Sequence, residues 1–291
     1  MSRHVLITGG GGFIGSHLAD ALLANGDRVR VLDCLSPQVH GEDAGRPEYL
    51  APDVELVVGD VRDPRAVRDA LARIDVVYHF AAMVGVGQSM YQINDYTSVN
   101  GLGTAVLLEA LIERPVERLV VASSMSIYGE GLYRDAAGML QAGQERTLNQ
   151  LRAAEWELRG ADGGILQPIA TPETKTPSLS SVYALSKYDQ ERLCLMIGRA
   201  YGIPAVALRF FNVYGPRQAL SNPYTGVLAI FSSRLLNERP PLVFEDGGQR
   251  RDFVSVHDVA RACVLALDAP QAAGVAINVG SGQSWTVRAI A

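Results

Sequence analysis

Short apolar runs alternate with longer stretches of helical periodicity through the first half of the chain. The runs typical of buried strands are Val5–Thr8, Arg28–Leu32, Val54–Val58, Asp75–Phe80 and Arg118–Ala122. Stretches with helical spacing lie between them, at Phe13–Ala24, Arg65–Ala72 and Val99–Ile112. Single helices between short strands favour β-α-β units. We therefore predict an α/β fold with a doubly wound parallel sheet and helices on both of its faces.

This alternation is interrupted once and then resumes. Residues 130–182 are rich in Gly, Gln, Arg, Pro and Thr, and they have no strong strand pattern, with room for a helix within Met139–Leu158. We interpret them as a surface insertion or lid without a core of its own. Strand and helix patterns return at Ser181–Ala200, Ala205–Phe210, Val227–Leu236, Val256–Leu267 and Val275–Val279.

Composition narrows the possible partners and location. Of 291 residues, 48% are hydrophobic and 20% are charged, as in ordinary globular proteins. The net charge of −5 leaves no broad basic surface, so no nucleic acid is expected as a partner. The longest apolar run, Val76–Val86, contains His79 and is far shorter than a membrane span, so no membrane is expected either. Three widely spaced cysteines, Cys34, Cys194 and Cys263, indicate a reducing compartment, and we predict a cytoplasmic protein.

A glycine-rich loop, Thr8–Gly15, joins the first strand to the first helix. It fits two spacings, Gly9-x-x-Gly12-x-x-Gly15 and Gly10-x-Gly12-x-x-Gly15, and the sequence leaves both open. In either case, small residues let the backbone approach a pyrophosphate, and the start of the helix provides free N–H groups. The loop therefore predicts a Rossmann-type dinucleotide site.

An acid at the end of the second strand bears on the choice of cofactor. Asp33 lies where a carboxylate binds the 2′-hydroxyl of the adenosine ribose and repels a 2′-phosphate. This predicts NAD rather than NADP. Arg28 and Arg30 lie on the same strand, and their positive charges weaken the preference for NAD over NADP.

Three polar residues form a candidate for proton transfer. Tyr183 and Lys187 share one face of a helix, because they are four residues apart. An ammonium beside the phenol favours the phenolate, so we predict a lowered pKa for Tyr183 and a role as general base. Ser124 ends a buried strand, where ligands collect in doubly wound sheets, and it could bond to a substrate oxygen. A packing Tyr with an exposed Lys, and a Ser that caps a strand end, are the alternatives for each motif taken alone.

The motifs occur together and in one order along nearly the whole chain. They are Thr8–Gly15, Gly59-Asp60-Val61, His79-Phe80-Ala81-Ala82, Asn100-x-x-Gly103-Thr104, Ser123-Ser124 with Tyr128-Gly129, Tyr183-x-x-x-Lys187, Arg209–Arg217, Arg251–Val254 and Asn278–Gly280. In these motifs the chain resembles the extended short-chain dehydrogenase/reductases, and specifically the NAD-dependent nucleotide-sugar epimerase/dehydratase family. An enzyme that binds NAD and a nucleotide-diphosphate sugar is implied.

The resemblance also implies a division of the chain. Residues 1–180 would form the NAD-binding Rossmann domain, with the insertion at 130–182. Residues 181–291 would provide the final Rossmann elements, interleaved with a smaller C-terminal substrate-binding region. Val287–Ala291 has the pattern of a helix that has just begun, so we expect the C-terminal end of that region to be incomplete.

The resemblance assigns a cofactor site residue by residue. That set is Gly9, Gly12, Phe13, Ile14, Gly15, Asp33, Asp60, Val61, Ala81, Ala82, Asn100, Ser123, Tyr183, Lys187 and Phe211. Asp60 and Val61 would flank the adenine, and Ala81 would line the phosphates and ribose. Asn100 would support the site from behind, and Phe211 would lie at the nicotinamide.

It likewise implies the groups that act on the substrate. Ser124, Tyr183 and Lys187 would be the catalytic trio. Ser124 would also contact the substrate, and Asn212 and Arg251 would bind its diphosphate, for which a guanidinium is well suited. A surface ion pair between Arg251 and Asp252 is the alternative.

Two residues separate the branches of the family. Its 4,6-dehydratases carry an Asp-Glu pair directly after the active-site Ser or Thr, where this chain has Met125 and Ser126. Neither side chain is an acid at neutral pH. Hydride chemistry at one carbon remains: 4-epimerisation with tightly bound NAD, or reduction of a 4-keto-6-deoxyhexose with NAD(P)H. Asp33 favours the epimerase, because such reductases usually prefer NADPH.

Finer features imply a substrate and an assembly. Residues 31–41 and the stretch after Tyr128 resemble the branch of dTDP-L-rhamnose 4-epimerases and UDP-glucose 4-epimerases, which implies a dTDP-6-deoxyhexose substrate. Insertions in that branch often carry cysteine pairs, whereas residues 130–182 contain no cysteine, so we predict no metal. The family also implies a homodimer, paired through the helices Val99–Ile112 and Ser181–Ala200.

Overall fold

The computed structural model describes residues 2–42, 45–220 and 226–291. Its strands are β1 (His4–Thr8), β2 (Arg28–Asp33), β3 (Glu55–Val58), β4 (Val76–His79), β5 (Arg118–Ser124), β6 (Leu132–Arg134), β7 (Leu140–Ala142), β8 (Gln167–Ile169), β9 (Ala205–Phe210), β10 (Asn212–Tyr214), β11 (Arg250–Ser255), β12 (Ala276–Val279) and β13 (Ser284–Thr286). Its α-helices are α1 (Phe13–Ala24), α2 (Pro37–His40), α3 (Pro64–Ala70), α4 (Val86–Ser89), α5 (Ile93–Tyr96), α6 (Gly103–Glu113), α7 (Leu148–Arg152), α8 (Val182–Tyr201), α9 (Val227–Leu236), α10 (Val256–Leu267) and α11 (Val287–Ile290).

A seven-stranded sheet in the order β12-β9-β5-β4-β1-β2-β3 forms the centre of the molecule. Every neighbouring pair is parallel, which confirms the predicted doubly wound sheet. The order reverses between β1 and β4, and ligands of such sheets bind at the carboxyl ends of the strands beside this reversal.

Both faces of the sheet are buried, which explains its continuous apolar runs. Val5 and Ile7 of β1 face the layer formed by α1 and α10. Leu6 faces the opposite layer, formed by α3, α6 and α8. Within the described ranges, no helix is both long and apolar enough to cross a membrane.

Helix boundaries follow local chemistry. Ser181 caps α8 by accepting a hydrogen bond from Ala184 N, and the helix ends at Gly202, whose φ of 71° is left-handed. The helix predicted at Val99–Ile112 is less regular than expected. A six-residue π-helical segment, Thr97–Leu102, precedes α6. Hydrophobic periodicity does not distinguish a π turn from an α turn over so short a stretch.

The insertion is more ordered than its sequence pattern predicts. Strands β6, β7 and β8 form a small antiparallel sheet in the order β7-β6-β8. Tyr133, Leu158 and Leu166 form a small buried cluster beside it, so the prediction of a segment without a core was wrong. Three-residue strands are too short to show a period of two, which is why the pattern missed them.

A second small sheet, β10-β11-β13, lies beside the carboxyl end of the main sheet. Strands β10 and β11 are parallel, and β11 and β13 are antiparallel. This sheet carries Asn212 and Arg251.

Candidate active site

The glycine loop lies where β1 and β4 separate. Gly9 adopts a φ of 71°, and a Cβ there would stand 2.7 Å from the backbone N of Ala81. Its N–H donates to Leu32 O at 2.8 Å. The loop is therefore held between β2 and the segment after β4, and only glycine has both the conformation and the size for this position.

The glycines of the two possible spacings are needed for different structural reasons. A Cβ on Gly15 would lie 2.8 Å from Gly9 O, and Gly12 caps α1 without any side-chain hydrogen bond. Gly10 instead packs against Val31, whose Cγ2 would be 2.5 Å from a Cβ. Gly9, Gly12 and Gly15 thus shape the start of α1, where the first-turn N–H groups, including those of Phe13 and Ile14, have no helical acceptor.

Asp33 ends β2 directly beside this loop. Its Oδ2 accepts from Gly11 N and its Oδ1 from Leu35 N, both at 2.9 Å. The Tyr49 hydroxyl donates to Gly11 O at 2.8 Å from the other side. A glycine cradle, an open helix N-terminus and a fixed acid fit the pyrophosphate and ribose of NAD.

Asp60 and Val61 follow β3 at the same end of the sheet. Asp60 accepts hydrogen bonds from the Arg62 side chain and backbone, which lower its pKa below the ordinary value. Val61 is buried against α6, where a Cβ on Gly103 would be 2.5 Å from Val61 Cγ1. Both residues therefore lie between β3 and α3, at the carboxyl end of the sheet.

Residues after β4 are tied to the facing helices. Ala81 N donates to Thr8 Oγ1 at 3.2 Å, and Ala82 follows it, half-buried. The Asn100 side chain accepts from Met83 N at 2.7 Å and donates to Ser186 Oγ at 2.9 Å. Asn100 therefore joins this segment to α8.

Ser124 and Tyr183 meet at the end of β5. Ser124 Oγ accepts from Ser126 N at 3.1 Å, and the Ser124 hydroxyl favours the ionised form of the neighbouring Tyr183 phenol. Burial raises the pKa of Tyr183 above its ordinary value, and the bond with Ser124 opposes this rise. The predicted lowering of this pKa by Lys187 was wrong for the chain alone, because burial dominates.

Lys187 lies one turn further along α8, nearly inaccessible to solvent. Its Nζ donates to Gln190 Oε1 at 2.8 Å. Burial lowers the pKa of Lys187 to about 8, so the ammonium remains the main form at pH 7. The structure thus places Ser124 beside Tyr183, with Lys187 one turn further along α8.

Adjacent serines on β5 have different environments. Ser123 Oγ donates to Glu191 Oε2 at 2.6 Å, and Glu191 also pairs with Arg209. The Ser123 hydroxyl is therefore committed to a buried ion pair rather than to the cleft. Since side chains alternate along a strand, Ser124 has the orientation that meets Tyr183.

Of the predicted substrate residues, Asn212 and Arg251 lie on the small C-terminal sheet, and Phe211, predicted at the nicotinamide, directly precedes that sheet. Phe211 N donates to Val279 O, and Asn212 Nδ2 donates to Asp252 O at 2.9 Å. Asp252 accepts from Ser281 N and Gly282 N, so it does not form the alternative ion pair with Arg251. The Arg251 guanidinium is exposed, and its one hydrogen bond among the described residues is to Arg250 O.

Comparison with known proteins agrees with this geometry. The sequence profile of the NAD-dependent epimerase/dehydratase family matches residues 5–151 and 157–280. The chain belongs to this family.

Relatives of this epimerase/dehydratase include nucleotide-sugar 4-epimerases. It is 38% identical to a dTDP-L-rhamnose 4-epimerase of Burkholderia thailandensis over 98% of this chain and 78% of that protein. A UDP-glucose 4-epimerase of Thermotoga maritima, solved with UDP-glucose, superposes with a TM-score of 0.79 at 30% identity, over 99% of this chain and 80% of the other. A Thermus thermophilus UDP-glucose 4-epimerase in complex with NAD gives 0.73 at 34% identity, over the same shares. The chain is thus an NAD-dependent enzyme of the nucleotide-sugar epimerase family.

Two residues of this epimerase/dehydratase had no assigned role in the sequence. Gln190 is the hydrogen-bond partner of Lys187, and His79 is fully buried between β1 and α6. A polar residue three positions after Lys187, on the same helical face, was the signal for Gln190. His79 had a signal too, because it is a lone imidazole within an apolar strand. Among the described residues, no three potential metal-binding side chains converge on one point.

Proposed function

We propose that this enzyme is a nucleotide-sugar 4-epimerase acting on a dTDP-6-deoxyhexose, with NAD retained between turnovers. The observation that carries this proposal is the identity of the two residues that follow Ser124, which are Met125 and Ser126. Met125 Sδ lies 3.4 Å from Asn212 Nδ2, on the side proposed for the substrate, and Ser126 Oγ accepts from Ser124 Oγ. A thioether and a hydroxyl stand where elimination of water would need acids. Dehydration is therefore disfavoured, and reaction at C4 alone is supported.

The proposed mechanism uses Tyr183 as the proton carrier. The Tyr183 phenolate takes the proton of the C4 hydroxyl, while Ser124 hydrogen-bonds to the same oxygen. NAD, held by the glycine loop and Asp33, would supply the complementary hydride chemistry at C4. The 4-keto sugar turns over within the cleft, and Tyr183 returns the proton to the opposite C4 epimer. No net proton or hydride is lost in the cycle.

Lys187 would make Tyr183 a usable base. Because burial raises the phenol's pKa, ionisation near neutral pH needs a nearby positive charge. The Lys187 ammonium, one helical turn away, provides that charge and a donor for the nicotinamide ribose. The cofactor would lie along the cradle from Asp33 through Gly9 to Ala81, with Asp60, Val61, Ala82, Asn100 and Phe211 around it. Asn212 and Arg251 would bind the sugar diphosphate.

The experiment follows the sugar without added cofactor. dTDP-L-rhamnose and UDP-glucose are incubated separately with the purified protein, and the H4 couplings are observed by NMR. A C4-epimer mixture from the first and not the second is expected. No epimerisation, together with NADPH oxidation on a dTDP-4-keto-6-deoxyhexose, would contradict the proposal and identify a 4-ketoreductase. Tyr183→Phe is the control.

Organisation and assembly complete the proposal. Residues 1–180 would bind NAD, and 181–291 would contribute the substrate region, in a cytoplasmic enzyme. A homodimer would pair α6 and α8 with their counterparts, since Leu185 and Met196 on α8 are more than half exposed. Light scattering of the purified protein measures its mass directly, and a monomer at micromolar concentration would contradict this part.

A further inference from the structure

The Lys187 ammonium has one hydrogen-bond partner within the described part of the chain. Its Nζ donates to Gln190 Oε1 at 2.8 Å. Lys187 is 3% exposed and Gln190 is 0% exposed. Water is thus largely excluded, and the amide oxygen takes much of the place of the ammonium's hydration.

The orientation of the Gln190 amide is set by its other end. Nε2 donates to Thr104 Oγ1 at 2.9 Å and lies 3.4 Å from Ala81 O. An ammonium can only donate, so Oε1 has to face Lys187 and Nε2 has to face Thr104. Each atom of the amide therefore has a chemically matched neighbour.

His79 anchors the far side of this arrangement. Thr104 Oγ1 donates to Asn100 O at 2.6 Å, so it accepts from His79 Nε2, 2.9 Å away. His79 Nδ1 is then the acceptor for Thr8 Oγ1 at 2.8 Å. One consistent set of protons runs from Thr8, at the start of the glycine loop, to Lys187. Burial lowers the pKa of His79 to about 3, which keeps the ring neutral.

The charged and titratable groups around Lys187 leave Gln190 as the adjustable contact. His79, from β4, is neutral. On α8, Glu191 is paired with Arg209, and burial raises the pKa of the Cys194 thiol to about 12. Tyr183 is the remaining neighbour on that helix and is neutral in the chain alone.

We propose that Gln190 is a positioning residue whose side-chain oxygen holds the Lys187 ammonium in its protonated form, one helical turn from Tyr183. Thr104, His79 and Thr8 fix Gln190 relative to the glycine loop. The catalytic consequence rests on the proposed function, because it requires Lys187 to act on Tyr183 and the cofactor. The link between Gln190 and Lys187 is a property of the chain alone.

The test uses an unusual feature of the composition: the chain has only two lysines, Lys175 and Lys187. Protein labelled with ¹³C at lysine Cε gives two side-chain signals, which Lys175→Arg assigns. In the ligand-free protein we expect Lys187 to titrate near pH 8. Gln190→Met keeps the side-chain volume and removes the acceptor, so the pKa of Lys187 should fall by about one unit. Gln190→Glu puts a carboxylate there and should raise it.

Matched controls separate this effect from general perturbation. Gln271→Met and Gln271→Glu make the same changes at an exposed, distant glutamine and should leave the Lys187 titration unchanged. Lys175 reports global changes in every variant. Opposite shifts in the two Gln190 variants support the proposal, because loosened packing alone would not reverse sign. An unchanged Lys187 pKa in Gln190→Met overturns it, even if the Glu variant fails to fold.

Kinetics then test the catalytic consequence separately. We expect kcat/KM to fall at alkaline pH when Lys187 loses its proton. The pH at which it falls should be lower in Gln190→Met and higher in Gln190→Glu than in the wild type. Absence of any sugar conversion in the wild-type protein would contradict the proposed function. In that case the NMR titration would still decide the role of Gln190, because it needs no substrate.

Discussion

The buried ion pair between Arg209 and Glu191 predicts a large and specific loss of stability. The two side chains are 7% and 1% exposed, and two hydrogen bonds of 2.9 and 2.6 Å join them. Arg209 also donates to the Tyr128 hydroxyl at 2.7 Å. Arg209→Met would leave the Glu191 carboxylate with the Ser123 hydroxyl as its remaining donor among these groups.

The expected magnitude follows from that unpaired charge. Removing one partner of a buried ion pair costs about 3–5 kcal/mol, because the other charge is left desolvated. In Arg209→Met/Glu191→Leu both charges are gone, so we expect at least half of this loss to be recovered.

Urea unfolding at pH 7 measures these differences. Arg134→Met, at an exposed arginine in the insertion, is the matched control and should change the free energy of unfolding by less than about 0.5 kcal/mol. The reasoning is refuted if Arg209→Met loses less than about 1 kcal/mol, or if the double variant is no more stable than the single one.

Three further predictions concern the site. Tyr183→Phe should lower the epimerisation rate by about 10²–10⁴-fold and leave NAD bound, as measured by turnover and by the cofactor released on denaturation; an unchanged rate would rule out Tyr183 as the proton carrier. Gly9→Ala should abolish NAD retention on gel filtration, because its Cβ would overlap the Ala81 backbone at a left-handed φ, and an alanine variant that still co-purifies with NAD would contradict this. Stability should decline as the pH falls from 6.5 toward 3, partly because the unfolded chain protonates His79 while the folded ring stays neutral. Urea unfolding of His79→Gln at pH 4.5 and 7 should show a smaller difference than the wild type, and an equal difference would exclude His79 as a source.

The fold was largely predictable because both faces of the sheet are covered. Buried strands such as β1 are apolar at every position, and a single glycine loop identified the switch point. The cofactor acid Asp33 and the pair Ser124 and Tyr183 also followed from position at strand and helix ends. The structure places Ser124 beside Tyr183, and Asp33 separately beside the glycine loop.

The features that the sequence could not predict depend on burial and on the face of the sheet to which each side chain points. The part played by the Ser123 hydroxyl in the buried ion pair of Glu191 and Arg209 depends on the face of the sheet on which that side chain lies. The raised pKa of Tyr183 comes from exclusion of water, which only the assembled layers produce. Strands β6 to β8 are too short for any periodicity to be visible.

Because of the π-helical segment before α6, the geometry of the site depends on the number of residues in that segment. A helix of this kind holds one more residue per turn than its α-helical neighbours, and Asn100 lies within it. Deleting a single residue from Thr97–Leu102 would restore α geometry and turn Asn100 by about 100° relative to α6. Its amide would then point away from Met83 and Ser186, although every residue of the motifs would still be present. An engineering library that samples only substitutions would not detect this constraint, whereas one-residue deletions through the segment would show it at once.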